Sequence, residues 1–272
     1  NVLITNPRDM KAFMKDLKKN PFSFITGVNT LFNGLLNQPD FKSVDFSSLK
    51  LAFAGGMALQ DTVANKWQEV TDSPLLEAYG LSETSPAASI NPIDGTHKIG
   101  TIGLPIPGTD MKILDDDKNE VAVGERGEIA IKGPQVMAGY WQREEATKDV
   151  MHNGYFLTGD IGIMQDNGFF KIVDRKKEMV CVSGFNVYPS EVEAVISDHP
   201  KVLEVGVRSE PDPKTTEAVM AFIVKKDESL TISEIREYCK EKLTAYKVPK
   251  IVVFREELPK SNVGKILRRL LE

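Results

Sequence analysis

Leu49-Lys50-Leu51-Ala52-Phe53-Ala54-Gly55-Gly56-Met57 decides the fold of the first part of this chain. Residues 49–53 form an apolar run of strand length, and the stretch at about 60–71 has a helical pattern. The same order occurs upstream, where Phe22-Ser23-Phe24-Ile25-Thr26 reads as a buried strand and residues 29–37 as a helix. Downstream, Leu75-Leu76-Glu77-Ala78-Tyr79 is a third short strand that ends at Gly80. Strand–helix alternation predicts an α/β layer with parallel pairing. Gly55 and Gly56 fall between strand and helix, where a ligand can approach the backbone closely. An ordinary strand–helix turn uses the same residues.

Outward from this layer the texture changes twice. From about residue 96, Gly and Pro recur between short alternating runs such as Glu128-Ile129-Ala130-Ile131-Lys132. That pattern predicts small antiparallel strands in a distorted barrel, interrupted by one helix near 143–151. After about 177 a compact α+β unit is expected. Ser190-Glu191-Val192-Glu193 reads as a capping box with Ser190 as N-cap, and Thr231-Ile232-Ser233-Glu234 opens a second helix in the same way. Residues 202–207, 218–224 and 248–254 read as strands, and 264–271 as a basic helical tail. The charged run Asp174-Arg175-Lys176-Lys177-Glu178 separates the last two textures, as a solvated loop or as a hinge. The fold class expected is therefore α/β and α+β: a partial α/β subdomain over 1–96, a β-barrel-like subdomain over 97–173, a divider at 174–178, and a small α+β domain over 179–272.

Composition excludes several function classes. Of 272 residues, 41% are hydrophobic and 27% charged, as in ordinary globular proteins. The net charge of -5 speaks against nucleic acid as a partner. Cys181 and Cys239, the two cysteines, show no metal or disulfide spacing and suit a reducing compartment. No apolar run reaches the ~18 residues of a membrane span. The chain opens on Asn1-Val2-Leu3-Ile4, which reads as the inside of a domain, so a fragment is expected.

Four segments can carry chemistry. Tyr79-Gly80-Leu81-Ser82-Glu83-Thr84 puts an aromatic face, a glycine, two hydroxyls and a carboxylate within six residues. The ring can stack on a base, the hydroxyls can donate to phosphate, and the carboxylate can hold Mg²⁺. A strand end followed by a helix capped by Ser82 fits the same letters. In Thr158-Gly159-Asp160, the Asp can accept from both hydroxyls of a ribose or cap its own turn. Lys265, at the end of Lys260-Ser261-Asn262-Val263-Gly264-Lys265, can reach an anion or simply point into water. No G-x-x-x-x-G-K-[ST] phosphate loop occurs.

In order and spacing, these segments resemble the adenylate-forming superfamily of acyl-CoA synthetases, luciferases and peptide-synthetase adenylation domains. Residues 79–84 are similar to its Y-G-x-T-E segment, residues 174–193 to its hinge-and-loop segment, and residues 258–269 to its C-terminal lysine segment. The wording, including Phe24-Ile25-Thr26-Gly27-Val28-Asn29-Thr30-Leu31-Phe32, is most similar to bacterial long-chain fatty acid–CoA ligases. The resemblance implies ATP, Mg²⁺ and CoA, with a fatty acid as substrate. It implies that Gly55, Gly56 and Met57 line the adenine and acyl carboxyl region. Tyr79, followed by Gly80, would stack on adenine, Ser82 would contact phosphate, and Glu83 would bind Mg²⁺. Asp160 and Arg175 would hold the ribose, Lys177 would be the hinge, Gly184 would lie beside the CoA arm, and Lys265 would serve adenylation. It implies a cytoplasmic enzyme, peripheral at the inner membrane where its lipid substrate brings it into transient contact. It also implies a missing upstream half, with the phosphate loop, and an isolated chain without ligase activity. An adenylation domain loading a carrier protein and a non-catalytic nucleotide-binding fragment are the alternatives. Two departures, Thr216 where relatives often have Gly and the segment Arg208-Ser209-Glu210-Pro211-Asp212-Pro213-Lys214, are expected to be remote from the chemistry.

Overall fold

Apolar runs separated by helical periods pair as parallel strands in the computed structural model, which describes residues 4, 6, 9–261 and 266–272. Helix α1 (Met10–Lys19) comes first, opened by Asp9, whose carboxylate accepts from the Ala12 amide. Strands β1 (Phe24–Gly27), β2 (Leu51–Ala54) and β3 (Leu75–Tyr79) then lie side by side, with Phe24 opposite Leu51 and Ala52 opposite Leu75. Their crossovers contain α2 (Asn29–Leu36) and α3 (Asp61–Thr71). One face of each helix is apolar, and the two meet through Phe32 and Trp67, ring centroids 4.9 Å apart and edge to face. Both rings are fully buried; a side chain such as Phe32 stabilises by roughly 1.5–3 kcal/mol on burial. Two short antiparallel strands, β4 (Ser89–Ile90) and β5 (Leu104–Pro105), extend this sheet in the order β1-β2-β3-β4-β5.

The Gly/Pro-punctuated region forms a second sheet from β6 (Asp110–Leu114), β7 (Arg126–Lys132), β8 (Met151–His152), β9 (Tyr155–Met164) and β10 (Phe170–Arg175). Its order is β10-β9-β7-β6, with β8 on β9. Helix α4 (Glu144–Val150), between β7 and β8, buries none of its side chains. The last sheet holds β11 (Val180–Val182), β12 (Phe185–Val187), β13 (Val202–Asp212), β14 (Thr216–Lys225) and β15 (Ile251–Arg255), in the order β12-β11-β14-β13, with β15 parallel on β14. Helices α5 (Pro189–Ser197) and α6 (Ile232–Lys242) contribute Val192, Ile196, Ile235 and Cys239 to its core. Burial pushes the Cys239 thiol up to about 11, so it stays protonated. The architecture is mixed α/β, and contacts divide it into two compact units: residues 1–158 with 162–172, and residues 159–161 with 173–272.

Several local expectations are corrected. Ser190 is not an N-cap: α5 begins at Pro189, whose missing N–H suits the first turn, and Tyr188 precedes it. The Ser190 amide donates to Asp174, and the Ser190 hydroxyl and Glu193 both turn to Arg268. Thr231 does cap α6 through its hydroxyl, but Glu234 pairs with Lys201 instead of reaching back. Ser82 caps no helix, because only a 3-10 turn (Ser82–Thr84) follows β3. The tail is not an extended helix: its described part makes a single 3-10 turn, Arg268–Leu270. The departing segment at 208–214 continues β13 as far as Asp212 before turning, with Pro211 opposite Glu217 and Asp212 opposite Thr216. Its two prolines hid a strand that reads as ending at 207.

Candidate active site

Parallel strands send their C-terminal loops to one edge of the sheet, which is where open α/β sheets bind ligands. β2 ends at Ala54, opposite Glu77 of β3, so residues 55–57 and 79–84 leave neighbouring strands. They are in close approach. The Gly55 amide donates to the Gly27 carbonyl, and a Cβ on Gly55 would lie 3.3 Å from the Ala78 carbonyl oxygen. Gly56 takes a φ of +76°, which a side chain would strain. Gly80 is needed for a different reason: a Cβ there would stand 1.6 Å from the Pro86 carbonyl oxygen. Met57 is half-buried in this loop. Tyr79 is buried at the end of β3, among Ala88, Ile102 and Met111.

The two hydroxyls of the 79–84 segment have different fates. Thr84 is fully buried and closes the turn, accepting from the Leu81 amide and lying 2.9 Å from the Pro86 carbonyl oxygen. Ser82 is exposed. Glu83 is held from two sides by residues that sequence reasoning missed. Its carbonyl accepts from the Met137 amide, and Oε1 accepts from the Tyr140 hydroxyl at 2.8 Å. Partial desolvation and then this carboxylate raise the Tyr140 pKa, so the phenol remains a donor. Oε2 of Glu83 takes no hydrogen bond from the described residues. A single half-exposed carboxylate oxygen suits Mg²⁺, which takes one or two carboxylates and completes its shell with water and phosphate. No cluster of three His, Cys, Asp or Glu that could hold a metal occurs among the described residues.

The other expected residues belong to the second unit. Asp160 on β9 is buried, and its Oδ1 lies 3.0 Å from Arg175 Nε at the end of β10. The structure thus joins Asp160 and Arg175, which stand fifteen positions apart in sequence. Lys177 is exposed on the 3-10 turn Lys176–Glu178. Gly184 tops the β11–β12 hairpin. Ser183 and Gly184 have φ of +51° and +85°, the left-handed pair that a two-residue hairpin turn requires, and the tip is exposed. Lys265 lies outside the described residues.

Beside this hairpin is a cleft of about 520 Å³, lined by Ser183, Thr215, Arg236, Lys240, Tyr246 and Lys250 among others. Arg236, Lys240 and Lys250 bring three cations to this cleft, Lys240 also paired with Glu237 and Lys250 with Asp212, and with the Tyr246 ring they suit a phosphorylated ligand with a flat ring. Tyr246 stacks on the exposed Phe185 at 4.7 Å. Thr216 is not remote from this place. It sits opposite Val182 of the hairpin, and the Thr215 carbonyl accepts from the Ser183 amide. Its φ of +70° explains why glycine suits the position.

Residues 1–141 match the family model of the AMP-binding enzyme, and residues 191–265 match that of the AMP-binding enzyme C-terminal domain. The long-chain-fatty-acid–CoA ligase of Escherichia coli O6:H1 is 56% identical over 271 residues, 100% of this chain and 48% of that protein. The long-chain-fatty-acid–CoA ligase of Yersinia pestis is likewise 56% identical over 271 residues, again 100% of this chain and 48% of the relative. Among solved structures, ATP-bound MatB from Rhodopseudomonas palustris superposes with a TM-score of 0.85 at 30% identity, covering 96% of this chain and 52% of that one. The chain thus spans about half the length of the relatives it matches.

Proposed function

Because the chain belongs to the AMP-binding enzyme family, we propose that the protein containing it activates a long-chain fatty acid with ATP to acyl-AMP and transfers the acyl group to CoA. The observation that carries this reading is 56% identity to a long-chain-fatty-acid–CoA ligase held across the whole chain. The close approach of the loops after β2 and β3 supports it; on this reading Gly55, Gly56, Met57 and Tyr79 line the adenine and acyl carboxyl region, Gly80 lets the chain turn there, and Ser82 donates to phosphate. Mg²⁺ held by Glu83 would neutralise charge on the phosphates. Asp160 and Arg175 take the ribose hydroxyls. Lys265 supplies positive charge as a carboxylate oxygen attacks the α-phosphorus and pyrophosphate leaves.

In the second step the CoA thiolate attacks the acyl carbonyl and AMP departs. The cationic cleft holds the phosphates of CoA through Arg236, Lys240 and Lys250, and Gly184 keeps the hairpin tip clear for the pantetheine arm. Residues 174–178, with Lys177 at their centre, act as the hinge between the residues before them and the small domain of 179–272. Among the described residues no helix is long and apolar enough to cross a membrane, and fatty acid enters by transient contact of a cytoplasmic enzyme with the membrane surface. The isolated chain has no ligase activity.

Pyrophosphate exchange by the full-length protein across carboxylic acids of different length tests the reading, with Lys265→Ala alongside. Exchange should be strongest with long-chain acids. Lys265→Ala should lose on the order of 3–4 kcal/mol of barrier lowering, as for a lost oxyanion donor. Full exchange by a folded Lys265→Ala variant, or ATP- and CoA-dependent turnover by residues 1–272 alone, would refute the corresponding claim.

A further inference from the structure

Arg268 makes five side-chain hydrogen bonds within the second unit. Nε and Nη2 grip Glu193 as a fork, at 2.8 and 2.5 Å. Nη1 donates to Asp174 at 2.8 Å and to Glu178 at 2.5 Å, and Nη2 also donates to the Ser190 hydroxyl at 2.7 Å. These five bonds use all five N–H donors of a guanidinium. The side chain is 15% exposed and that of Asp174 is 2% exposed. Burial alone would lower the Arg268 pKa, but Glu193, Asp174 and Glu178 more than offset it and raise it, so the group stays charged. By contrast the next residue, Arg269, is exposed.

The arrangement is directional. Asp174 Oδ1 also accepts from the Arg175 amide at 2.8 Å, and Oδ2 accepts from the Ser190 amide at 2.7 Å. Arg268 therefore holds Asp174, Asp174 holds the backbone of Arg175, and the Arg175 side chain reaches Asp160. Glu178, at the far end of the same turn, is tied to the same guanidinium. A buried network with every donor satisfied fixes geometry tightly, and removing its central cation leaves carboxylates unpaired. We infer that Arg268 is a positioning residue for the nucleotide step: in the conformation seen here it sets the 174–178 turn, and through Asp174 it aims Arg175 at Asp160, so that the pair meets the ribose of the nucleotide in one orientation, a grip that must release when the hinge turns. This rests on the ligase reading given above.

The test is nucleotide discrimination in the full-length enzyme. Pyrophosphate exchange is measured with ATP and with 2′,3′-dideoxy-ATP, for the parent, Arg268→Gln, Arg268→Lys and the control Arg269→Gln. A misaimed contact costs on the order of tenfold to a hundredfold. Arg268→Gln should therefore raise the KM for ATP by about tenfold or more and cut the preference for ATP over the dideoxy nucleotide by a similar factor. Arg269→Gln should match the parent. On an Arg175→Ala background, Arg268→Gln should change the preference no further. A purely structural role would lower exchange with both nucleotides alike and leave the preference intact, and that result overturns the inference. No exchange by the parent removes the ligase reading and this inference with it; exchange without ribose preference removes the ribose clamp. If Arg268→Gln does not fold, Glu178→Gln, at a half-buried partner, reads the same change in smaller size, and an unchanged preference there overturns the inference equally.

Discussion

Replacing Glu77 by Gln should stabilise the chain at pH 8 and much less at pH 5. Glu77 lies on β3 at 8% exposure, and its Oε1 accepts from the Leu59 amide at 3.2 Å. Burial pushes its carboxyl from 4.5 to about 7; the Leu59 hydrogen bond opposes this and nearby Asp61 adds to it. The folded chain therefore holds this proton more tightly than the unfolded chain. The resulting penalty is absent well below pH 4.5, grows between 4.5 and about 7, and is complete above that. At about 1.4 kcal/mol per tenfold change in proton affinity, its full size is about 3 kcal/mol, falling to about 1 kcal/mol at pH 5. Gln keeps the acceptor for Leu59 and loses the charge. Any fixed cost of the new amide shifts the whole curve without changing its slope. Urea unfolding followed by tryptophan fluorescence reads this unit, because Trp67 is fully buried in its core and Trp141 is 87% exposed. Parallel stability–pH curves for parent and variant would refute the reasoning.

Further outcomes are expected. Thr216→Gly should stabilise by roughly 1 kcal/mol in urea unfolding, since a left-handed β-branched residue costs about 1–2 kcal/mol and the added glycine entropy returns part of that; a destabilised variant would count against strain at this φ of +70°. Gly80→Ala should lose about 3 kcal/mol or more, because its Cβ meets backbone atoms that cannot rotate away; unchanged stability would refute that packing. Tyr140→Phe in the full-length enzyme should raise the Mg²⁺ concentration for half-maximal pyrophosphate exchange by about threefold to tenfold, the ~0.5–1.5 kcal/mol net worth of an ordinary hydrogen bond, because this one is exposed to solvent. An unchanged Mg²⁺ requirement would show that Tyr140 does not orient Glu83.

The parallel layer was legible because its signals are local. Apolar runs of strand length and helical spacing lie next to one another along the chain, and they gave β1, β2, β3, α2 and α3 to within a few residues. The loops after β2 and β3 followed from the same reading, since parallel strands deliver their ends to one edge. What stayed hidden depends on distant partners. Glu193 suits a capping box until Arg268, 75 positions away, competes for it. Tyr140 reaches Glu83 across 57 positions, and nothing in the letters around either residue marks the pair. Pro211 and Pro213 argue against a strand locally, yet β13 runs through Pro211 because β14 offers a continuous ladder. The cleft cations Arg236, Lys240 and Lys250 come from a helix and a strand approach, and no local pattern marks the three as neighbours.

The hairpin that carries Gly184 is fastened unevenly. β13 and β14 share a ladder from Val202 opposite Lys225 to Asp212 opposite Thr216, whereas β11 meets β14 at Val182 and Thr216 alone. Two further bonds help, from the Ser183 amide to Thr215 and from the Cys181 amide to Glu217. Val180, Val182 and Val187 anchor its base in the core, so it is the exposed tip over 183–186 that opens at lower free energy than the ladder beneath it. Its amide protons will therefore trade for deuterium long before those of β14, and a protease that nicks this unit will find the Ser183-Gly184 tip first.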